Sequence, residues 1–216
     1  MAGVIDICNL ALAHLGDEAE VIEIDPPDGT EQAAQCGRFY PLCRDQLLEM
    51  HPWTFAMSRK TLALIAAPAP SEWRYAYALP ALCLKPRAIL APTATDDSVS
   101  DDYIVEADPD TGLSVVYTNT EDAVLRFTRL VEDTTRFTPG FVAALARLMA
   151  SDLAGPIIKG TTGIQISQAQ LKWFAIELAN AKIQDSNTGH RSIYRDRVPD
   201  MIKARGGPRL GFRDRY

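Results

Sequence analysis

The hydrophobic pattern changes period twice along this chain of 216 residues, and those two changes restrict its fold more than any other feature. Near the start, Ile5, Cys8, Leu12 and Leu15 recur at helical spacing, which predicts a helix over about 3–16 that stops at Gly16. A second stripe, Cys36, Tyr40, Cys43, Leu47 and Met50, predicts a helix that begins between Asp28 and Thr30 and ends at His51-Pro52. Asp28 and Glu31 have the spacing of a capping box. From about 72 to 131 the texture is different. Short runs such as WRYAYALP, KPRAIL, DYIVEAD, LSVVYTN and VLRFTRLV are rich in aromatic and β-branched residues and are broken by proline and Asp-Gly turn signals. These predict a small antiparallel sheet or sandwich of four or five strands, with Tyr103–Glu106 and Leu113–Thr118 as its clearest hairpin.

Helical spacing then returns. Thr138-Pro139 is an N-cap followed by proline at the first helical position. Val142, Leu145, Met149 and Leu153 lie on one face, and Gly155-Pro156 is expected to kink or end the helix. A fourth helix, about 165–187, has Leu171, Phe174, Leu178 and Ala181 as its expected inner stripe. The fold class is therefore α+β: a bundle of about four helices (1–70 and 132–189), an inserted antiparallel β-rich region (71–131) and an extended C-terminal arm (190–216).

Charge separates the arm from the rest. The chain has a net charge of −6, yet residues 190–216 hold eight basic and three acidic residues, so the arm carries +5 and the remainder −11. Residues 17–31 hold Asp17, Glu18, Glu20, Glu23, Asp25, Asp28 and Glu31 with no Lys or Arg. An acidic body argues against a whole-surface nucleic-acid binder. Apolar runs that are short and interrupted argue against membrane insertion. The first residues lack a basic segment and include Asp6, so a signal peptide is not expected. Cys8, Cys36, Cys43 and Cys83 are then expected as thiols in a reducing cytoplasm.

Catalytic motifs are weak. There is no GxSxG, P-loop or HExxH, and neither the scattered cysteines nor His14, His51 and His190 have zinc spacing. No cofactor or metal is expected. The acids of 17–31 suit a solvated loop better than the carboxylate pair of a glycosidase, and Asp96, Asp97, Asp101 and Asp102 read as polar turns before they read as a metal site. Trp53, Phe55, Trp73, Tyr75 and Tyr77 concentrate where helix gives way to sheet, which suggests a hinge core or a subunit interface. In the arm, Ile193, Tyr194, Val198, Met201, Ile202, Leu210, Phe212 and Tyr216 alternate with arginines. That mixture suits docking on a protein better than purely electrostatic contact with phosphates.

The stretch 39–56, FYPLCRDQLLEMHPWTFA, resembles the hallmark of podovirus head-to-tail adaptors, the tail tubular protein A family. Trp73–Pro80, Tyr103–Glu106, Tyr117–Asn119, Leu125–Thr128, Thr138–Phe141 and Leu153–Ile157 follow in the family's order, so the resemblance covers about 1–185. It implies a structural virion protein without enzymatic activity. Such subunits are assembled in the host cytoplasm into a homo-oligomeric ring, typically of about twelve copies. The ring joins the portal protein to the tail nozzle protein, offers a platform for tail fibres and extends the channel through which double-stranded DNA passes without sequence recognition. The resemblance also implies that the arm reaches the portal, with Arg191, Tyr194, Arg195, Arg197, Ile202, Arg205, Arg209, Phe212, Arg213 and Tyr216 as docking residues. The alternative is a tail-associated cell-wall or polysaccharide hydrolase drawing its carboxylates from Glu18, Glu20 and Glu23. A free DNA-binding protein is a third possibility.

Overall fold

Helix α3, Pro139–Ile158, is apolar on nearly every side, and the other helices are arranged to cover it. The computed structural model describes residues 2–65, 69–93, 100–108 and 111–188. These residues form an α+β fold. Helices α1 (Val4–Leu15), α2 (Glu31–Met50) and α4 (Gly160–Ser186) all pack on α3. By length and hydropathy α3 is long and apolar enough to cross a membrane, unlike the short apolar runs expected, because its alanines add to the leucine stripe. Here that character is used inward: Phe141, Leu145, Met149, Leu153 and the alanines at 144, 146, 150 and 154 are all buried.

Side chains set the ends of the helices. Thr138 caps α3 by accepting a hydrogen bond from the Phe141 N–H. Helix α3 passes through Pro156 instead of ending there; the proline lies so close to the terminus that only one ladder bond is lost. The chain then reverses through Lys159 and Gly160, both at positive φ, and α4 begins at once, earlier than the expected residue 165. At α2 the cap is Thr30, whose hydroxyl accepts from the Ala33 N–H. Asp28 stands too early in the chain to act as cap. Its carboxylate instead accepts from the Thr30 and Ile22 N–H groups and the Thr30 hydroxyl.

The helical stripes are largely as expected. Cys8, Leu12, Cys36, Tyr40, Cys43 and Leu47 are buried, but Met50 is exposed at the end of its helix. All four cysteines are free thiols. The Cys43 thiol donates to Asp152 at 3.3 Å. The Cys8 thiol is pushed far up in pKa, first by its hydrogen bond with Cys36 and then by burial, so it is inert.

Seven strands are present among the described residues: β1 (Met57–Thr61), β2 (Ala63–Leu64), β3 (Tyr75–Ala78), β4 (Cys83–Leu90), β5 (Tyr103–Ala107), β6 (Ser114–Thr118) and β7 (Val124–Arg129). They build two antiparallel sheets, ordered β1-β7-β4 and β2-β3-β6-β5. The hairpin expected at 103–118 is β5-β6, paired from Tyr103↔Thr118 to Ala107↔Ser114. Strand structure begins at Met57, so 57–64 belongs to the sheets and not to the helical segment that the pattern up to residue 70 suggested. The chain changes sheets at Leu62, whose N–H donates to the Ala123 carbonyl. Tyr77, Ile89, Val116, Leu125 and Phe127 fill the space between the sheets. Strand β6 is buried on both faces, because Val115 and Tyr117 pack with Ala76 against Ile65, Ala69 and Trp73.

The aromatic concentration divides between these layers. Trp53 and Phe55 join Phe137 and Phe141 in the bundle, whereas Tyr75 and Tyr77 stack within the β core. Trp53 is fully buried and its indole N–H donates to the Leu47 carbonyl at 2.8 Å, which fixes the elbow from α2 into β1. Arg87 on β4 braces this junction by donating to the Glu49 carbonyl in the last turn of α2, where a cation suits the helix dipole.

Helices α3 and α4 approach closely because Gly163 has no side chain: a Cβ there would lie 2.8 Å from the Ala154 carbonyl oxygen. Gly163→Ala is therefore expected to cost about 1–3 kcal/mol of stability by forcing the helices apart. Urea unfolding monitored by circular dichroism checks this.

Candidate functional site

All ten residues expected to dock on the portal, from Arg191 to Tyr216, lie outside the described residues. The structure does describe the helix that leads into the arm. The inner face of α4 consists of Gly163, Gln170, Phe174, Ala181 and Asp185. Gln170 ties three helices together: its amide donates to the His14 carbonyl at 2.7 Å, and its oxygen accepts from Arg147 at 2.9 Å.

The rest of α4 is unusual for a surface helix. Ile164, Leu171, Trp173, Ile176 and Ile183 are 46–61% exposed. Leu171, expected in the inner stripe, is among them. Ile176 and Ile183 each follow a buried residue, Phe174 or Ala181, by two positions. That step is a rotation of about 200°, so both isoleucines point away from the bundle. Trp173 lies beneath the Arg147 guanidinium, 5.7 Å from its ring centroid. Scattered exposed apolar residues are ordinary, but five on one helix, one of them a tryptophan, have the composition of a protein contact surface.

Asp185 fixes the far end of α4. Its carboxylate is buried and accepts from the Thr54 N–H at 3.0 and 3.1 Å and from His51 Nε2 at 3.2 Å. Burial lowers the His51 pKa below its ordinary value, and Lys182 and Arg87 lower it further, against the opposing pull of Asp185. The lowered pKa favours the neutral imidazole, which meets the Asp185 carboxylate through a hydrogen bond from Nε2–H.

A second feature lies at the other end of α2. Asn9 clamps the acidic loop by bonding both backbone groups of Val21, at 2.9 and 3.0 Å. Three hydrogen bonds hold the Asp28 carboxyl down to a pKa of about 2. Gly37 lets the loop sit on α2, since a Cβ there would be 2.9 Å from the Ile24 carbonyl oxygen. Between loop and helices lies a furrow of about 500 Å³ lined by Val4, Ile5, Ile22, Glu23, Ile24, Asp25 and Tyr40. It continues into a second hollow of about 410 Å³ that shares Ile24, Asp25 and Tyr40.

The residues weighed for chemistry do not converge. Glu18, Glu20 and Glu23 are exposed along the loop. Asp17 accepts from the Ala19 N–H and the Gln32 amide, and Glu31 pairs with Lys159 at 3.3 Å. Asp101 accepts from the Thr120 hydroxyl at 2.6 Å, while Asp96 and Asp97 lie outside the described residues. Among the described residues no group of three or more His, Cys, Asp or Glu could hold a metal ion. Gly160–Gly163 forms the first turn of α4, so its glycines start a helix and make no phosphate cradle after a strand. The chain matches no protein-family model, and no curated protein is significantly similar to it in sequence.

Two outcomes are expected at the Asp185 clamp. Asp185→Ala removes the acceptor shared by the Thr54 N–H and His51 and costs about 1–2 kcal/mol in urea unfolding. Acid weakens the same region. The folded state holds His51 below its unfolded pKa of 6.5, so the unfolded chain binds more protons, and stability falls as pH drops from about 6.5 through the lowered value. His51→Gln flattens that part of the stability-against-pH curve. His14, lowered mainly by burial, leaves a residual slope.

Proposed function

We propose that this protein is a structural subunit of a phage virion, a head-to-tail adaptor that assembles in the host cytoplasm as a ring of about twelve copies. The ring stands between the portal and the tail nozzle, gives tail fibres a platform and extends the DNA channel. It carries out no chemistry and needs no cofactor.

The observation that carries this reading is the outer surface of α4. A helix whose inner stripe is already satisfied by α3 still exposes Ile176 and Ile183 on its outer side and Ile164, Leu171 and Trp173 on its flanks. Such a surface is stabilised when a neighbouring copy covers it, and a ring repeats one head-to-tail contact until rotation closes it. The helical bundle with a β insertion agrees with the architecture that the sequence resemblance implies. Net charge agrees as well: −11 over residues 1–189 allows DNA, itself densely anionic, to slide past, while the +5 arm is left for a protein partner.

Native mass spectrometry of the chain, alone and mixed with the portal ring of its phage, tests the proposal. A portal complex carrying a fixed number of copies, about twelve, supports it. No binding at any ratio overturns it. Ile176→Asp with Ile183→Asp is expected to abolish ring formation while leaving the circular dichroism spectrum unchanged, since both side chains are exposed in the monomer. Deleting 190–216 is expected to abolish portal binding with the described fold intact.

A further inference from the structure

The furrow beside the acidic loop is an apolar slot in an acidic rim, and this chain contains a segment of complementary character. Ile22 is 79% exposed, although its own N–H is bonded to Asp28 and its neighbour Val21 is buried and clamped by Asn9. An apolar side chain is thus held out at a fixed position. Glu20, Glu23 and Asp25 surround it, all exposed and none in an ion pair with another described residue.

Residues 208–213, PRLGFR, alternate arginine or glycine with Leu210 and Phe212. In extended conformation that alternation places Leu210 and Phe212 on one side and Arg209, Gly211 and Arg213 on the other, from which the long arginine stems fold back to the rim of a slot that takes the apolar pair. Gly206, Gly207 and Pro208 disfavour a helix leading into this segment. Distance permits the contact. Helix α4 ends beside His51, at the C-terminal end of α2, and Tyr40 lies about 17 Å back along that helix. The stretch from 189 to 210 spans up to about 70 Å when extended.

We infer that the arm docks on its own chain. Leu210 and Phe212 enter the furrow against Ile22, Ile24 and Tyr40, and Arg209 and Arg213 face Glu20, Glu23 and Asp25. Any partner that takes the arm must first draw it out of this slot. The inference does not rest on the adaptor reading, and its test uses the isolated full-length chain, so either can fail alone.

Hydrogen–deuterium exchange of the full chain is the test. Arg209→Glu with Arg213→Glu is expected to speed exchange several-fold both in 20–27 and in 205–216. Ile22→Lys, at an exposed position that does not endanger the fold, is expected to speed exchange in 205–216. Unchanged exchange in both variants overturns the inference. Carbodiimide coupling of the Lys203 amine adds a direct readout. Linkage to Glu20, Glu23 or Asp25 in monomer-mass protein is the expected result. Linkage confined to dimer-mass protein overturns the intrachain contact in favour of the arm of a second copy, and linkage only to other carboxylates overturns the furrow as its seat.

Discussion

The burial of α3 is the constraint on which the other elements depend. A helix with Phe141, Leu145, Met149, Leu153 and four buried alanines leaves only a narrow side, at Asp152 and Gly155, for water, so it requires neighbours on several sides. Alanine and glycine decide how near those neighbours come. Without a side chain at Gly163, α4 lies against the Ala154 carbonyl and packs on α3 through the stripe from Gly163 to Asp185, which leaves its remaining sides uncovered. The apolar outer side of α4 is what remains when a long helix, only part of which is needed inside, is laid on a narrow one.

Polar atoms locate the helices where apolar contact alone would leave them free to slide. Gln170 links α4 to the end of α1 and to Arg147 of α3, and Asp185 links it to the start of the 54–56 turn. Both side chains are buried and satisfied, so each has a single acceptable position. The acidic loop is held in the same manner by Asn9 and Asp28. Its seven carboxylates are therefore presented on a fixed frame, which makes their field directional.

Much of this architecture was legible in the sequence because long periodic segments carry their own signal. The stripe from Cys36 to Leu47, the Thr138-Pro139 start of α3 and the 103–118 hairpin all stand where periodicity and turn chemistry placed them. Strand β1 was not legible. It is an edge strand with the sequence MSRKT, mostly exposed, and so lacks the alternation that reveals a half-buried strand. The inner stripe of α4 was misjudged at Leu171 because the helix is apolar on more than one side and periodicity cannot say which side is inside. The isoleucines at 164, 176 and 183, out of phase with Phe174 and Ala181, were the available clue. The furrow was hidden for a different reason: Val4, Ile22 and Tyr40 belong to three separate segments, and only the clamp by Asn9 and the gap at Gly37 bring them together.

The two strands that connect the bundle to the sheets are each other's partners. Strand β1 leaves the elbow after Ala56, β7 returns toward α3, and they pair antiparallel from Met57↔Thr128 to Thr61↔Val124. A tensile load drawing the sheets away from the bundle along these strands stretches both backbones in parallel. Neither slides past the other, so the ladder between them carries no shear. A sideways load is different, because it bends a two-stranded ribbon stiffened on one flank by β4 and its Arg87 strut to α2. Mechanically, the β region is strong in tension and compliant toward the unbraced flank, like a hinged plate on a double strap.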